Sequence, residues 1–163
     1  MVIGRRRDIS VENRTLYLPD SVDYVATVEG ELHHSHGVDY FAIAGNLYPW
    51  HIVPDFVIGR PAYDNYLVSI ASSYNMSIVD ASNSVTALHQ TDEEGVGSGH
   101  RCRDSNYNRQ VITRDHMRLR GCSRSDCTEY LTKLAGQSDS SATIFLSNLR
   151  KGRPVLVVKR STR

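Results

Sequence analysis

Residues 59–75 constrain the fold more than any other stretch of this chain. Gly59-Arg60-Pro61 reads as a turn that closes on the residue type a helix favours at its first position. Tyr63, Tyr66, Leu67, Ile70, Ala71 and Tyr74 then recur at spacings of three and four, the stripe of a helix buried along one side. Asn75 suits the left-handed conformation that stops such a helix. Short apolar runs flank it. Val38 to Ala44 comes before, with a loop through Gly45, Asn46, Pro49 and Trp50; Ser77 to Asp80 and Val85 to Leu88 come after. Strand, loop, helix, strand is the grammar of an α/β fold.

Elsewhere the pattern is weaker. Val2-Ile3-Gly4 reads as the end of a strand, and residues 8–37 are mixed, with an amphipathic stretch at Val22, Val25, Ala26 and Val28. Val53 to Ile58 is broken by Pro54 and Asp55, so it reads as an edge strand or an ordered loop. From Thr91 to Arg109 the chain is polar and rich in glycine, longer than a plain connector needs. Tyr107, Val111, Ile112 and Met117 suggest a second helix, and Thr128 to Leu134 a short third one. Ala142 to Leu146 and Pro154 to Val158 read as strands of a hairpin on either side of Arg150-Lys151-Gly152. No internal repeat is visible.

Composition narrows the class. At 163 residues the chain is one domain's length, and 40% hydrophobic with 23% charged is an ordinary globular mix, which excludes a disordered tail or a coiled-coil rod. No apolar run approaches the roughly 20 residues of a spanning helix. In MVIGRRRD the charges follow a short apolar pair, the reverse of a secretory signal, so the sequence reads as soluble with no visible address. Charge is uneven: residues 1–90 carry a net −5 and residues 91–163 a net +6. Arginine outnumbers lysine 16 to 3, a preference suited to phosphate and carboxylate. Yet only Tyr107, Tyr130 and Phe145 interleave with the arginines, too few aromatics for a nucleic-acid platform.

Three cysteines exclude a complete disulfide framework, although Cys122 and Cys127 can pair in an oxidising compartment. His100, Cys102, Cys122 and Cys127 offer zinc ligand types at loose spacing, so free or partly buried thiols are the preferred reading. His33, His34 and His36 form a cluster that reads as surface loop rather than metal site.

The chemistry gathers at the start of the striped helix. A helix N-terminus offers unpaired N–H groups and the positive end of a dipole, and Gly59, Arg60, Asp64 and Asn65 surround it. Arg60 is a forked donor for an anion, and Asp64 a carboxylate for a substrate hydroxyl. The plainer alternative is that Asp64 simply stabilises the helix and pairs with Arg60 on the surface. Trp50 is either a stacking surface for a sugar ring or core packing beside a loop, the second being preferred. His89 closes a strand, where a histidine commonly satisfies a backbone carbonyl.

The run DYFAI, then Trp50, PDFVIGRPAYDNYLV, IVDAS and VTALHQ resembles glycosyltransferase-like domains of the nucleotide-diphospho-sugar transferase (GT-A) type. The resemblance covers residues 38–90, reaching loosely back to VIGRR at 2–6 and forward to 99–112. It implies a partial GT-A, Rossmann-like sheet with flanking helices, with the C-terminal half of such a domain in residues 1–120 and a basic extension, hairpin or tail, in 121–163. It implies transfer of a sugar from a nucleotide sugar to a hydroxyl acceptor. By the same resemblance Asp64 would be the catalytic base. Arg60 would contact the diphosphate or orient Asp64; Gly59, Asn65 and Trp50 would complete the substrate site; and His89 would bind Mn²⁺ or Mg²⁺. The polar loop with Asp92, Glu93 and His100 would be a closing flap. The chain departs from the family pattern in having no Asp-x-Asp and no room for the first nucleotide-binding βαβ units. A carbohydrate- or partner-binding module without chemistry is the alternative, and a half-sheet implies an open edge that a partner chain or second copy would cover.

Overall fold

The computed structural model describes residues 1–10, 30–91, 104–114, 121–134, 143–146 and 155–159. In chain order these form β1 (Val2–Gly4), β2 (Arg7–Ser10), β3 (Glu31–Leu32), β4 (Tyr40–Ala42), a 3-10 turn (Trp50–Ile52), α1 (Tyr63–Ser73), β5 (Val79–Asp80), β6 (Leu88–Thr91), α2 (Tyr107–Arg114), a second 3-10 turn (Ser125–Cys127), β7 (Tyr130–Leu134), β8 (Thr143–Leu146) and β9 (Val155–Lys159). The fold is α/β, as the strand–helix–strand pattern requires.

Six strands form one sheet in the order β4-β1-β5-β7-β9-β8, and three form another in the order β3-β2-β6. β1, β5 and β7 run parallel, while β4 and β9 are antiparallel to their neighbours. The chain leaves β1 for β4 on one side and returns through α1 to β5 on the other. β1 is therefore where the winding direction changes. The smaller sheet repeats the same neighbours one step along the chain: β2 follows β1, β6 follows β5, and β2–β6 are again parallel, with Asp8 opposite His89. Between the two sheets, at Arg5–Arg6, side chains replace the ladder. The Arg5 N–H donates to Ser82 Oγ at 2.9 Å and the Arg6 N–H to Asp39 Oδ2 at 3.2 Å.

The core lies under α1. Ile3 of β1 packs with Val38, Tyr48, Leu67, Val68, Ala71 and Ile78, all buried. The Tyr48 hydroxyl donates to the Leu67 carbonyl at 2.9 Å, so the ring can be buried without an orphaned O–H. α1 begins at Tyr63, two residues after Pro61, because Ala62 takes a left-handed conformation (φ 76°) ahead of it. That conformation is costly for a residue with a Cβ. The helix ends as its sequence implies, with Asn75 left-handed at φ 54°. Its buried face includes Val68, which the stripe omits, whereas Tyr74 is 53% exposed.

Several expectations need correcting. Residues 38–44 do not form a buried strand: only Tyr40–Ala42 are extended, on the sheet edge and partly exposed. Val53 to Ile58 is ordered loop, and Val85 to Leu88 gives its strand only from Leu88 onward. Thr128 to Leu134 is not a helix. It holds β7, paired parallel to β5 at Val79↔Tyr130 and Asp80↔Leu131. The boundary drawn at residue 120 is thus crossed by the sheet itself, and residues 121–134 belong to the fold rather than to an appended tail. β8 and β9 do form the expected antiparallel hairpin pair. Cys122 and Cys127 are not free thiols but a disulfide, with Cα atoms 5.4 Å apart, which removes both from any zinc site. The amphipathic stretch at 22–28 and Asp92, Glu93, His100, Cys102 and Met117 lie outside the described residues.

Candidate functional site at the carboxyl ends of β1 and β5

In open α/β sheets ligands bind beyond the carboxyl ends of the strands, where the winding direction changes. Here that place is the Gly4-Arg5-Arg6 end of β1, beside the Asp80-Ala81-Ser82 end of β5. Gly4 sits there because no side chain fits: a Cβ would overlap the Tyr40 ring, whose hydroxyl donates to the Val85 carbonyl at 3.3 Å. Asp80 is buried and accepts from the Ser82 N–H (3.0 Å) and the Ser82 hydroxyl (2.5 Å). Ser82 in turn receives the Arg5 N–H, so β1 and β5 are joined at their ends by a chain of polar contacts.

Just above lies an ionic cluster centred on Asp8. Arg6 Nε donates to Asp8 Oδ1 at 2.7 Å and Arg6 Nη1 to Asp39 Oδ1 at 2.7 Å. His33 Nδ1 is 2.6 Å from Asp8 Oδ2, and His89 Nδ1 is 3.3 Å from Asp8 Oδ1. Burial by itself would raise the Asp8 pKa, but the hydrogen bonds from Arg6 and His33 outweigh it and hold the carboxyl below its usual range. His89 Nδ1 is buried without a hydrogen-bond partner, while 35% of the side chain remains exposed. The site thus presents one reachable imidazole on a carboxylate already held by a guanidinium and a second imidazole.

Of the six candidate site residues read from the sequence, His89 alone is in this cluster, where it is joined by His33 of the histidine group read as surface loop. Gly59, Arg60, Asp64 and Asn65 gather at the start of α1, as their spacing implies, but the polar side chains among them are engaged within the fold. Asp64 Oδ2 accepts the Val38 N–H at 3.0 Å. Burial raises its pKa against the backbone hydrogen bonds it accepts, from Val38, Asn65 and its own residue. Asn65 Nδ2 donates to the carbonyls of His36 (2.8 Å) and Ser123 (2.9 Å). Arg60 pairs with Asp104, not Asp64, through Nε–Oδ1 at 2.9 Å. Gly59 provides a left-handed turn (φ 78°) just ahead of the helix, and the neighbouring loop is tied to buried Asn108. Trp50 is not core: it is 46% exposed on its 3-10 turn, with its ring 4.5 Å from that of Tyr48.

The cluster missed from sequence is Arg5, Arg6, Asp8, His33, Asp39, Asp80 and Ser82. The signal was present as two arginines closing a strand and an aspartate closing its parallel neighbour. Only the pairing of β1 with β5 makes the two one site.

A divalent cation on a diphosphate takes one or two carboxylates from protein. Here Asp8 is engaged on both oxygens, and Arg6 sits against the oxygen that faces His89. Among the described residues no three His, Cys, Asp or Glu side chains are arranged to hold a metal. Among them, too, no helix is long and apolar enough to cross a membrane.

Comparison with known proteins returns nothing: no family model matches the chain, and no curated protein or solved structure is detectably similar to it.

Two carboxylates should move stability in opposite directions with pH. Asp8, held low in the folded state, contributes stability above its unfolded pKa that is lost as pH falls through the folded one. Asp64, held high, contributes stability that is complete below its unfolded pKa and lost as pH rises through the folded one. Urea unfolding from pH 3 to 7 should therefore show Asp8→Asn losing most, relative to the parent, at neutral pH. Asp64→Asn should lose most in acid. Parallel pH curves for parent and variants would rule this out.

Proposed function

We propose that this chain is a glycosyltransferase-like domain that takes part in moving a sugar from a nucleotide sugar to a hydroxyl acceptor. The observation that carries the reading is convergence. VIGRR, DYFAI, IVDAS and VTALHQ, distant in sequence, become neighbours through the β4–β1–β5 and β2–β6 pairings. In the reaction, the acceptor oxygen bonds to the anomeric carbon, the bond to the nucleoside diphosphate breaks, and a base takes the acceptor proton. This chain's residues bind and orient. Arg6 and Asp39 fix the end of β1, Asp8 fixes the His33 imidazole, and His89, 3.3 Å from the other Asp8 oxygen, is the one with an exposed edge. Asp64 positions segment 36–38 through Val38 rather than standing free as a base.

A second reading has its own support. Asp64, Asn65 and Arg60 are all engaged inside the fold, as in a carbohydrate- or partner-binding module without chemistry. Thermal denaturation separates the two. A ligand at about a hundred times its Kd adds about 2.7 kcal/mol, a rise in Tm of roughly 5–10 °C for a domain of this size. Uridine or guanosine diphosphate, with and without Mn²⁺, should give such a rise, and His89→Ala should reduce it by at least about half. Protection by an oligosaccharide but no nucleotide favours the binding module. Association with generic RNA that falls steeply with salt overturns both.

A further inference from the structure

We propose that the Cys122–Cys127 disulfide is a reducible latch that holds the His33–Gly37 turn, and with it His33, against Asp8. The bridge closes a short loop, five residues apart in sequence, over the second 3-10 turn, and Cys127 is exposed. Each of the four residues the loop encloses reaches the histidine turn or its anchor, Asn65. The Ser125 N–H donates to the Ser35 carbonyl at 3.1 Å, and the Ser35 hydroxyl donates to Asp126 Oδ2 at 3.0 Å. Arg124 Nη1 lies 3.4 Å from His36 Nε2. Asn65 Nδ2 spans both segments through the carbonyls of His36 and Ser123. Below the bridge the Cys122 N–H donates to Ser72 Oγ at 3.0 Å, which fixes the loop to α1.

At its first residue the turn is also held from β1–β2, where the His33 N–H donates to the Arg6 carbonyl at 3.0 Å and Arg5 Nη1 to the His33 carbonyl at 3.1 Å. Beyond His33 it is closed by one backbone bond, Gly37 N–H to the His34 carbonyl at 3.1 Å, and its imidazoles crowd one another. His33 and His34 have ring centres 4.0 Å apart, and His34 and His36 are 5.8 Å apart. Gly37 admits the His33 ring only because it has no Cβ. His33 then carries the constraint to Asp8, whose other carboxylate oxygen faces His89. Reduction by a dithiol converts the bridge to two thiols while the dithiol becomes a disulfide. The enclosed loop then regains chain freedom that the bridge had removed. The contacts from Ser123, Ser125 and Asp126 to the turn loosen together. The loop reaches α1 only through Asn65, Ser72 and the flank of Cys122, and the apolar contacts among Ile3, Leu67, Val68 and Ala71 do not run through it, so the core under α1 stays folded. The latch goes beyond sugar transfer and acts on the Asp8 cluster whatever binds there.

Amide hydrogen exchange with and without a small dithiol tests this. Reduction should speed exchange in residues 33–38 and 121–127 by about tenfold or more, as in local opening, with Leu67 to Ala71 unchanged. Cys127→Ser should exchange like the reduced protein under both conditions. Equal exchange in the two redox states overturns the proposal. So does exchange rising through α1 as well, which would make the bridge a staple for the whole fold. Alkylation of both cysteines in air-equilibrated protein before any reductant would also overturn it. Nucleotide protection is read separately, so a null there leaves the latch result standing.

Discussion

Asn108→Ala should cost about 3 kcal/mol, and with it roughly 6–12 °C of Tm for a domain of this size. Asn108 is fully buried on α2, and its amide is used on both sides. Oδ1 accepts the Val57 N–H at 2.9 Å, while Nδ2 donates to the carbonyls of Val57 (3.0 Å) and Arg60 (3.2 Å). Truncation takes the acceptor from the Val57 N–H and a donor from each of the Val57 and Arg60 carbonyls, beside a void, although the Val57 carbonyl keeps the Arg60 N–H at 3.3 Å. Each such group costs about 1–3 kcal/mol when water cannot reach it, and partial hydration of the loop brings the sum down. Asp104 makes a useful control. It joins α2 to the same loop through Arg60, but its side chain is 51% exposed and the pair is screened by water, so Asp104→Ala should cost far less. Urea midpoints of the two variants compare them directly. Equal small losses would mean that α2 does not hold the 57–60 turn.

Gly4→Ala is the second large effect, at about 2 kcal/mol, in the middle of the range for overpacking. The added methyl would meet the end of the Tyr40 ring inside the β1–β4 pair, and that partly exposed ring would have to turn away. The backbone side cannot retreat easily. The Gly4 carbonyl accepts the Asp39 N–H at 2.9 Å, and the next residue is tied to Ser82. Removing the obstacle should return much of the loss: Gly4→Ala with Tyr40→Ala is expected to be less destabilised than the two single changes added together. Strict additivity in thermal denaturation would show that the methyl is accommodated elsewhere.

What the sequence disclosed follows the range of its signals. α1 and its left-handed end were legible because a 3.6-residue stripe and an asparagine cap are local. The β8–β9 pairing was legible for the same reason, as two apolar runs on either side of Arg150-Lys151-Gly152. β7 was misread as a helix because Tyr130 to Leu134 is too short to settle its period, and what decides it is the β5 edge waiting beside it. At the site, the gathering of Gly59, Arg60, Asp64 and Asn65 around a helix start was legible. That the protein's own backbone already uses their polar atoms was not, since the partners Val38, His36 and Ser123 lie far off in sequence. Asp8 and His33 stayed hidden because a carboxylate among arginines and a histidine in a polar run look like solvated surface until the β2–β6 register is known.

The placing of β1 also sets a timetable for synthesis. Its parallel partner β5 cannot pair with it until Asp80 has left the ribosome, and β2 must wait longer still for β6. At about 5–20 residues per second, the interval from Gly4 to Asp80 is roughly 4–15 s. Through that time Val2 and Ile3 can be matched on one side only, by Phe41 and Ala42, and their other edge faces the cell. Ile3 ends fully enclosed in the core, with Val68 and Ala71, after waiting long for cover. Yield from a living cell should therefore track translation speed and chaperone supply more closely than it tracks the stability of the finished protein.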